Sequence, residues 1–288
     1  MLAFAGQNLA IKAISRKNTS KILIFWLMMA GAVPVLLFFL LIFSPHRYEP
    51  GFVPILLLAV GGNLVAFYGY IRSIQLTDVS LVSPLLSLTP FFMLLTSWLI
   101  LAELPDLPGL LGIIGVVLGT YLLTTRPGAR GLQPLLKLWD DSGCRWALVT
   151  SLIWSIQANI DRLGVEAATP ISYSFWFHTL FAVILTPFLY FFREEIFSSE
   201  FRTSGYTSGF VRQFVYILLG VGVTQALMSG SQMVAITGTQ VSYVIALKRS
   251  AMLLTVLGGG IIFSEKYTTR RFIAGLIVLG GLLGIIFR

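Results

Sequence analysis

Charge is what this sequence has least of. Asp, Glu, Lys and Arg make up 11% of its 288 residues, against about 25% in a soluble domain, so polar side chains are too few to cover a water-facing surface. A single cysteine, Cys144, excludes a disulfide within the chain and argues against a thiolate metal site. Two histidines, the lack of an HExxH stretch and the lack of paired intramembrane carboxylates leave little from which to build an enzyme. There is no GxxxxGKS/T stretch, which argues against ATP-driven work by this chain. The formal net charge of +8 does not point to nucleic acid, because the basic residues are scattered over short loops. No catalytic residue, cofactor or metal is expected. The apolar run after Lys21 is too long for a signal-peptide core and no small-residue cleavage site follows it, so no cleaved leader is expected.

What is present is hydrocarbon. Apolar residues account for 56% of the chain and the mean hydropathy is +0.86. Runs of about 20 apolar residues recur along the whole length, each long enough to cross a bilayer as a helix. They do not alternate, which excludes a β-barrel. The pattern predicts an all-α membrane protein with ten transmembrane helices near 1–14, 21–43, 52–74, 79–101, 107–125, 146–163, 170–192, 213–236, 240–263 and 270–287. Polar stretches punctuate them: SRKNTSK, SPHRYEPG, ELPDLPG, FREEIFSSEFRTSGYTSG and SEKYTTRR. The stretch TTRPGARGLQPLLKLWDDSGCR falls near mid-chain and reads as a linker.

The two halves repeat. Shifted by 162, residues 52–103 fall on 214–265 without a gap and 14 of 52 positions are identical; TDVSLV meets TQVSYV, and Glu103 meets Glu265. A shift of 150 fits more weakly upstream, setting Gln7 on Gln157 and Phe25-Trp26 on Phe175-Trp176. The expected domains are a first five-helix repeat at 1–125, a linker at 126–145 and a second five-helix repeat at 146–288. An odd number of spans per repeat inverts the second copy, an arrangement typical of secondary transporters, whose site lies at the repeat interface near mid-membrane. The first helix is expected to be truncated, because Met1 aligns with Ser151 while its copy begins near Trp146.

Ten spans as five plus five, FAGQNLAIK in the first span, a Glu closing the fourth and ninth spans, and ALKRSAMLLTVLGGGIIFSEKYTTRRFIAGLIVLGG near the end resemble the EamA family of the drug/metabolite transporter superfamily. The resemblance covers essentially the whole chain. It implies the inverted-repeat fold and a transporter of small organic metabolites in a bacterial plasma (inner) membrane. It does not name the solute.

Lys248 and Arg249 are the leading site candidates. They stand about seven residues, roughly 10 Å, inside an apolar run, where each cation costs about 2.5–3.5 kcal/mol unless it meets water or an anion. Snorkelling toward the nearer membrane face and an ion pair with Asp161 are the structural alternatives. The pair also resembles the phosphate-gripping pair of plastidic sugar-phosphate translocators, which implies an anionic or phosphorylated solute. Gln225, Gln157, Asn63 and Tyr243 are the remaining solute-binding candidates. Gln225 lies opposite Asn63 in the repeat and shares a polar stripe with Ser229 and Gln232, while Gln157 shares a face with Asp161. Such amides serve equally as glue between helices, and Tyr243 equally as an interfacial aromatic.

Other features read more plainly. His178 is expected to be a hydrogen-bonded core histidine rather than a proton relay. Pro84 and Pro90 should bend the fourth span at the depth where its copy carries the cations. Glu103 and Glu265 lie at helix ends, where capping or loop contacts are expected rather than solute binding. Gly115-VVL-Gly119 and Gly280-GLL-Gly284 are small-xxx-small patterns, read as close helix packing and as a surface for a homodimer.

Three readings stand side by side: a secondary transporter, either exporter or exchanger, of an anionic metabolite; a flippase for a lipid-linked anionic molecule; and a non-transporting membrane subunit or intramembrane enzyme. Fifteen of the twenty basic residues lie in loops after odd-numbered spans and three on the opposite side. The positive-inside rule therefore puts the first set in the cytoplasm and both termini outside, whereas the family resemblance implies termini inside. Cys144 is expected to serve as a labelling probe of that orientation.

Overall fold

A computed structural model gives the structure of the protein, describing residues 21–43, 48–124, 136, 140–191, 208–263 and 269–287. The expected first span lies outside these residues, as does Glu265. The described residues form helices and no strand: α1 (Lys21–Phe43), α2 (Phe52–Leu76), α3 (Val79–Leu86), α4 (Thr89–Leu101), α5 (Leu107–Thr124), α6 (Ser142–Glu166), α7 (Pro170–Phe191), α8 (Ser208–Gly238), α9 (Val241–Phe263) and α10 (Thr269–Ile286). Among the described residues, three stretches are long and apolar enough to cross a bilayer by length and composition: Phe25–Phe43, Phe52–Leu76 and Leu81–Leu101.

Burial is arranged for a lipid solvent. Leu41, Phe43, Leu58, Leu99 and Leu111 point outward, while Ser97, Thr120, Ser155, Asn159, Asp161 and His178 are buried. In water that distribution would be a large aggregation surface. In hydrocarbon it places apolar atoms against acyl chains and polar ones where other helices can bond them.

The fourth expected span is broken, as its prolines require. Pro90 has no N–H to offer Leu86 O, so α4 begins afresh at Thr89. Leu88 N turns to Leu85 O at 3.2 Å instead of continuing the helical ladder. Two hydroxyls take up the released carbonyls: Ser87 Oγ donates to Pro84 O at 2.6 Å and Thr89 Oγ1 donates to Leu86 O at 2.8 Å.

The chain divides into two compact units, and each draws on both halves of the sequence. In the unit formed by 57–163 and 235–288, α5 and α10 approach closely through glycine. A Cβ at Gly281 would sit 2.6 Å from Val116 N and 2.7 Å from Gly112 O, and one at Gly115 would sit 3.1 Å from Gly281 Cα. Ile113, Val116, Ala274, Val278 and Leu282 close this core, with Tyr243 and Ala246 of α9 against it. The close-packing reading is therefore correct, but the homodimer expectation loses its surface: Gly112, Gly115, Gly281 and Gly284 already face one another within one chain. Gly280 has open space beside it.

In the unit formed by the described residues up to Leu56 and by 164–234, α1 packs on α7. Phe25 meets the edge of Phe181 with centroids 5.4 Å apart, and Trp26 Nε1 donates to Thr186 Oγ1 at 3.1 Å. Gly222 of α8 lies against the backbone of Gly31.

α6 begins four residues earlier than expected because Asp141 caps it. Asp141 Oδ1 accepts from Cys144 N at 3.0 Å and from the Thr77 hydroxyl. Cys144 is consequently sealed among Val82, Leu85, Leu86 and Ala147, which corrects its expected use as a label. Asp140, exposed one residue before the cap, replaces it. An impermeant maleimide should label Asp140→Cys in inverted vesicles and spare it in intact cells; the reverse pattern would overturn the charge-derived orientation. Gly281→Ala should overpack the α5–α10 contact and cost about 1–3 kcal/mol in thermal unfolding. Gly280→Ala, next to open space, should leave the melting temperature unchanged.

Candidate functional site

Arg249 is held at the break in the fourth span. Its Nη2 donates to Thr89 Oγ1 at 3.0 Å, and its guanidinium carbon lies 5.5 Å from the centroid of the Trp154 ring. A cation over an indole face gains about 0.5–2 kcal/mol, the upper end when desolvated. The Trp154 ring is in turn 5.9 Å from that of Tyr70 on α2. One guanidinium thus joins α9 to α4 and α6 within a single unit, and Trp154 continues the contact to α2.

Lys248, the neighbouring residue, points about 100° away around the same helix. Both cations are half-buried rather than sealed. Asp161 accepts a hydrogen bond from Gln157 Nε2 at 3.3 Å, one helical turn earlier, and both side chains are buried. Thr150, Trp154, Gln157 and Asp161 follow one another at spacings of four, three and four, a continuous face of α6. Opposite that face α2 presents Gly69 to Thr150 and Gly62 to Gln157, where side chains would collide. Thr150 Oγ1 is buried there with no hydrogen-bond partner. Asn63, beside Gly62, is half-buried and returns its amide to Ala59 O of its own helix at 3.2 Å.

The other candidates are engaged elsewhere. Tyr243 donates its hydroxyl to Asp106 Oδ1 at 2.6 Å, and the same oxygen accepts from Gly109 N at 3.2 Å, so Asp106 caps α5 while Tyr243 clamps the cap. Glu103 Oε2 accepts from Val241 N at 3.2 Å, the first N–H of α9, which bears out its reading as a cap. Gln225 belongs to the second unit, where its Nε2 lies 3.0 Å from His178 Nε2; His178 Nδ1 is 2.7 Å from Ser174 O. A carbonyl can only accept, so Nδ1 carries the proton and Nε2 accepts from the amide. His178 is the bonded core histidine the sequence indicated. That unit also holds a cavity of about 450 Å³ lined by Tyr48, Glu49, Phe52, Pro54 and Trp176 among others, with none of the candidate residues in its wall.

Sequence reasoning missed Thr89 and Trp154. Trp154 shares the face of Gln157 and Asp161, so the helical period could have found it. Thr89 carried a weaker signal, a hydroxyl immediately before a helix-breaking proline. It also missed Asn159, which is buried and bonded to Ser97 and Thr96 of α4 at 2.8 and 3.0 Å.

Described residues that are helical, apolar outside and polar inside are those of a membrane protein. A family model described as "EamA-like transporter family" matches residues 1–125 and 141–287. The chain belongs to that family, within the drug/metabolite transporter superfamily, and is an integral membrane protein. A solved structure described as "Crystal structure of protein" superposes with a TM-score of 0.73 at 16% identity, covering 99% of this chain and 94% of that one, a likeness of fold alone. No curated protein matches the sequence.

The cap geometry gives Tyr243 a testable role. Tyr243→Phe removes a hydroxyl from the Asp106 cap and should lower stability by about 0.5–1.5 kcal/mol, measured as a shift in thermal unfolding. Unchanged stability would show that the hydroxyl serves something other than the cap.

Proposed function

We propose that this EamA-like protein is a secondary transporter, an exporter or exchanger, of a small anionic organic metabolite across a bacterial plasma membrane. It has ten spans as two inverted five-helix repeats, 1–125 and 146–288, which expose the site to each side in turn. The observation that carries the reading is the placement of Lys248 and Arg249: two adjacent half-buried cations in the middle of an apolar helix, with Arg249 held by Thr89 and Trp154. Cations at that depth are costly without a use. The repeat counterparts are Leu86 and Ser87, so the helical scaffold does not require charge there.

The roles divide by geometry. Arg249 is oriented by its neighbours and offers the donors not bonded to Thr89 as a directional contact for a phosphate or carboxylate. Lys248 contributes a point charge on a flexible stem. Gln157 and Asn63, on the facing helices α6 and α2, and the Thr150 hydroxyl supply neutral polar contacts. With no nucleotide-binding loop in the chain, the driving force is a gradient or the counter-flow of a second solute. Gln225 and Tyr243, the other sequence-derived candidates, already hold His178 and Asp106 and contribute by supporting their helices.

A charge-assisted hydrogen bond contributes about 1.5–3 kcal/mol, so removing one weakens binding roughly 10- to 150-fold. Lys248→Gln and Arg249→Gln should each weaken the binding of inorganic phosphate or of a carboxylated or phosphorylated metabolite by that factor, read as ligand-dependent thermal shifts of the purified protein. Full-strength anion binding by both variants would sink the assignment.

A further inference from the structure

The cavity of about 450 Å³ in the second unit plays no part in the proposed transport site. Its wall is built on one turn. Phe52 N donates to Glu49 O at 3.1 Å, and Gly51, with a φ of 101°, takes the left-handed third position of a Pro-Gly type II turn. Glu49 N donates to Ala167 O at 2.8 Å, which ties the turn to the segment before α7. The turn sets Tyr48 against Phe52, with ring centroids 5.1 Å apart and planes inclined at 48°. From α7, Trp176 Nε1 donates to the Tyr48 hydroxyl at 2.9 Å. Three aromatic side chains therefore line one cavity whose volume is within the range of small-molecule sites. Among the described residues, Glu49 is the charged member of that wall.

Charge and depth together indicate the ligand. Aromatic faces attract a cation, and a carboxylate in the same wall adds to that attraction. An anion finds little there, although a helix starts at this point. Of the first four residues of α2, Phe52 and Ile55 donate their N–H groups to Glu49 O and Gly51 O, and Pro54 has none. Residues 44–51 connect two stretches able to cross the bilayer, Phe25–Phe43 and Phe52–Leu76, so the cavity lies at the membrane surface. That is the level of lipid headgroups, where tyrosine and tryptophan are enriched. Val53, in the same wall, is exposed and extends the apolar surface along α2.

We propose that this cavity is a binding site for the ammonium group of a phospholipid headgroup, held between the Tyr48, Phe52 and Trp176 rings and the Glu49 carboxylate. It shares no residue with the Lys248 and Arg249 site and does not depend on what those cations bind. A free amine carries the same charge, but a lipid presents it at the depth of the cavity and brings chains that lie along Val53.

The test titrates lipids against the purified full-length protein in a neutral detergent and counts bound lipid by native mass spectrometry. Phosphatidylethanolamine should bind about 10-fold tighter than phosphatidylglycerol, which lacks the ammonium. N-acetylphosphatidylethanolamine keeps the chains and phosphate without the positive charge, and should bind no better than phosphatidylglycerol. Glu49→Gln and Trp176→Leu should each weaken phosphatidylethanolamine binding about 5- to 10-fold. Trp176→Leu also removes the bond to Tyr48. If it is not recovered folded, Glu49→Gln decides, because Glu49 is tied to Ala167 through its backbone and its side chain is exposed. Equal affinity for the three lipids overturns the proposal, as does a folded variant that keeps the full preference for phosphatidylethanolamine. Glycerophosphoethanolamine, the headgroup without chains, separates the two sources of ammonium and should bind about 100-fold more weakly than the lipid. Binding as tight as that of the lipid would make the occupant a soluble amine and overturn the lipid assignment.

Discussion

Everything in this fold answers to the absence of water around its helices. A polar group inside hydrocarbon can be satisfied only by another part of the protein, and each one left alone costs several kcal/mol. The break between α3 and α4 shows the constraint at work. Pro90 leaves Leu86 O without its helical N–H and Leu88 N turns away from Pro84 O; the hydroxyls of Thr89 and Ser87 bond these two carbonyls, and Thr89 accepts the Arg249 guanidinium in turn. The irregular backbone and the charge that needs a partner are placed together, so one hydroxyl serves both.

The same constraint explains how the rest of the framework is fastened. Helix starts are tied by side chains distant in sequence: Asp106 by Tyr243, Asp141 by Thr77, and the first N–H of α9 by Glu103. Helix faces lacking polar groups are joined by contact alone, with α5 and α10 approaching through glycine until backbone meets backbone. Lipid tails are as apolar as leucine, so burial gives little drive between helices, and close contact or internal hydrogen bonds must supply it.

Against that framework the cations stand out because they are not sealed. The Asn159–Ser97–Thr96 cluster and the Gln225–His178–Ser174 chain are buried and bonded within themselves. Lys248 and Arg249 are half-buried, and Arg249 rests on an aromatic face rather than a carboxylate. A group whose partners are neutral keeps its charge available to a ligand. That distinction separates the two cations from the enclosed polar clusters, although all of them look alike as isolated polar letters in an apolar run.

Much was legible in one dimension. Composition and run length established a helical membrane protein, the 162-residue repeat and its motifs pointed to the family, the prolines marked the break, and Lys248 and Arg249 stood out by cost alone. These are local or periodic properties, decided by what a segment contains. The sequence could not say which partner each polar side chain would meet, because that depends on which helix faces become neighbours. Tyr243 turned out to clamp the α5 cap, Gln225 to hold His178, and the dimer glycines to face one another within the chain. Trp154 and Thr89, separated by 65 positions, met at one guanidinium. Hydropathy selects the segments that enter the bilayer, and only their packing selects the contacts, because in a solvent without hydrogen bonds every polar pairing is settled by proximity in the folded state.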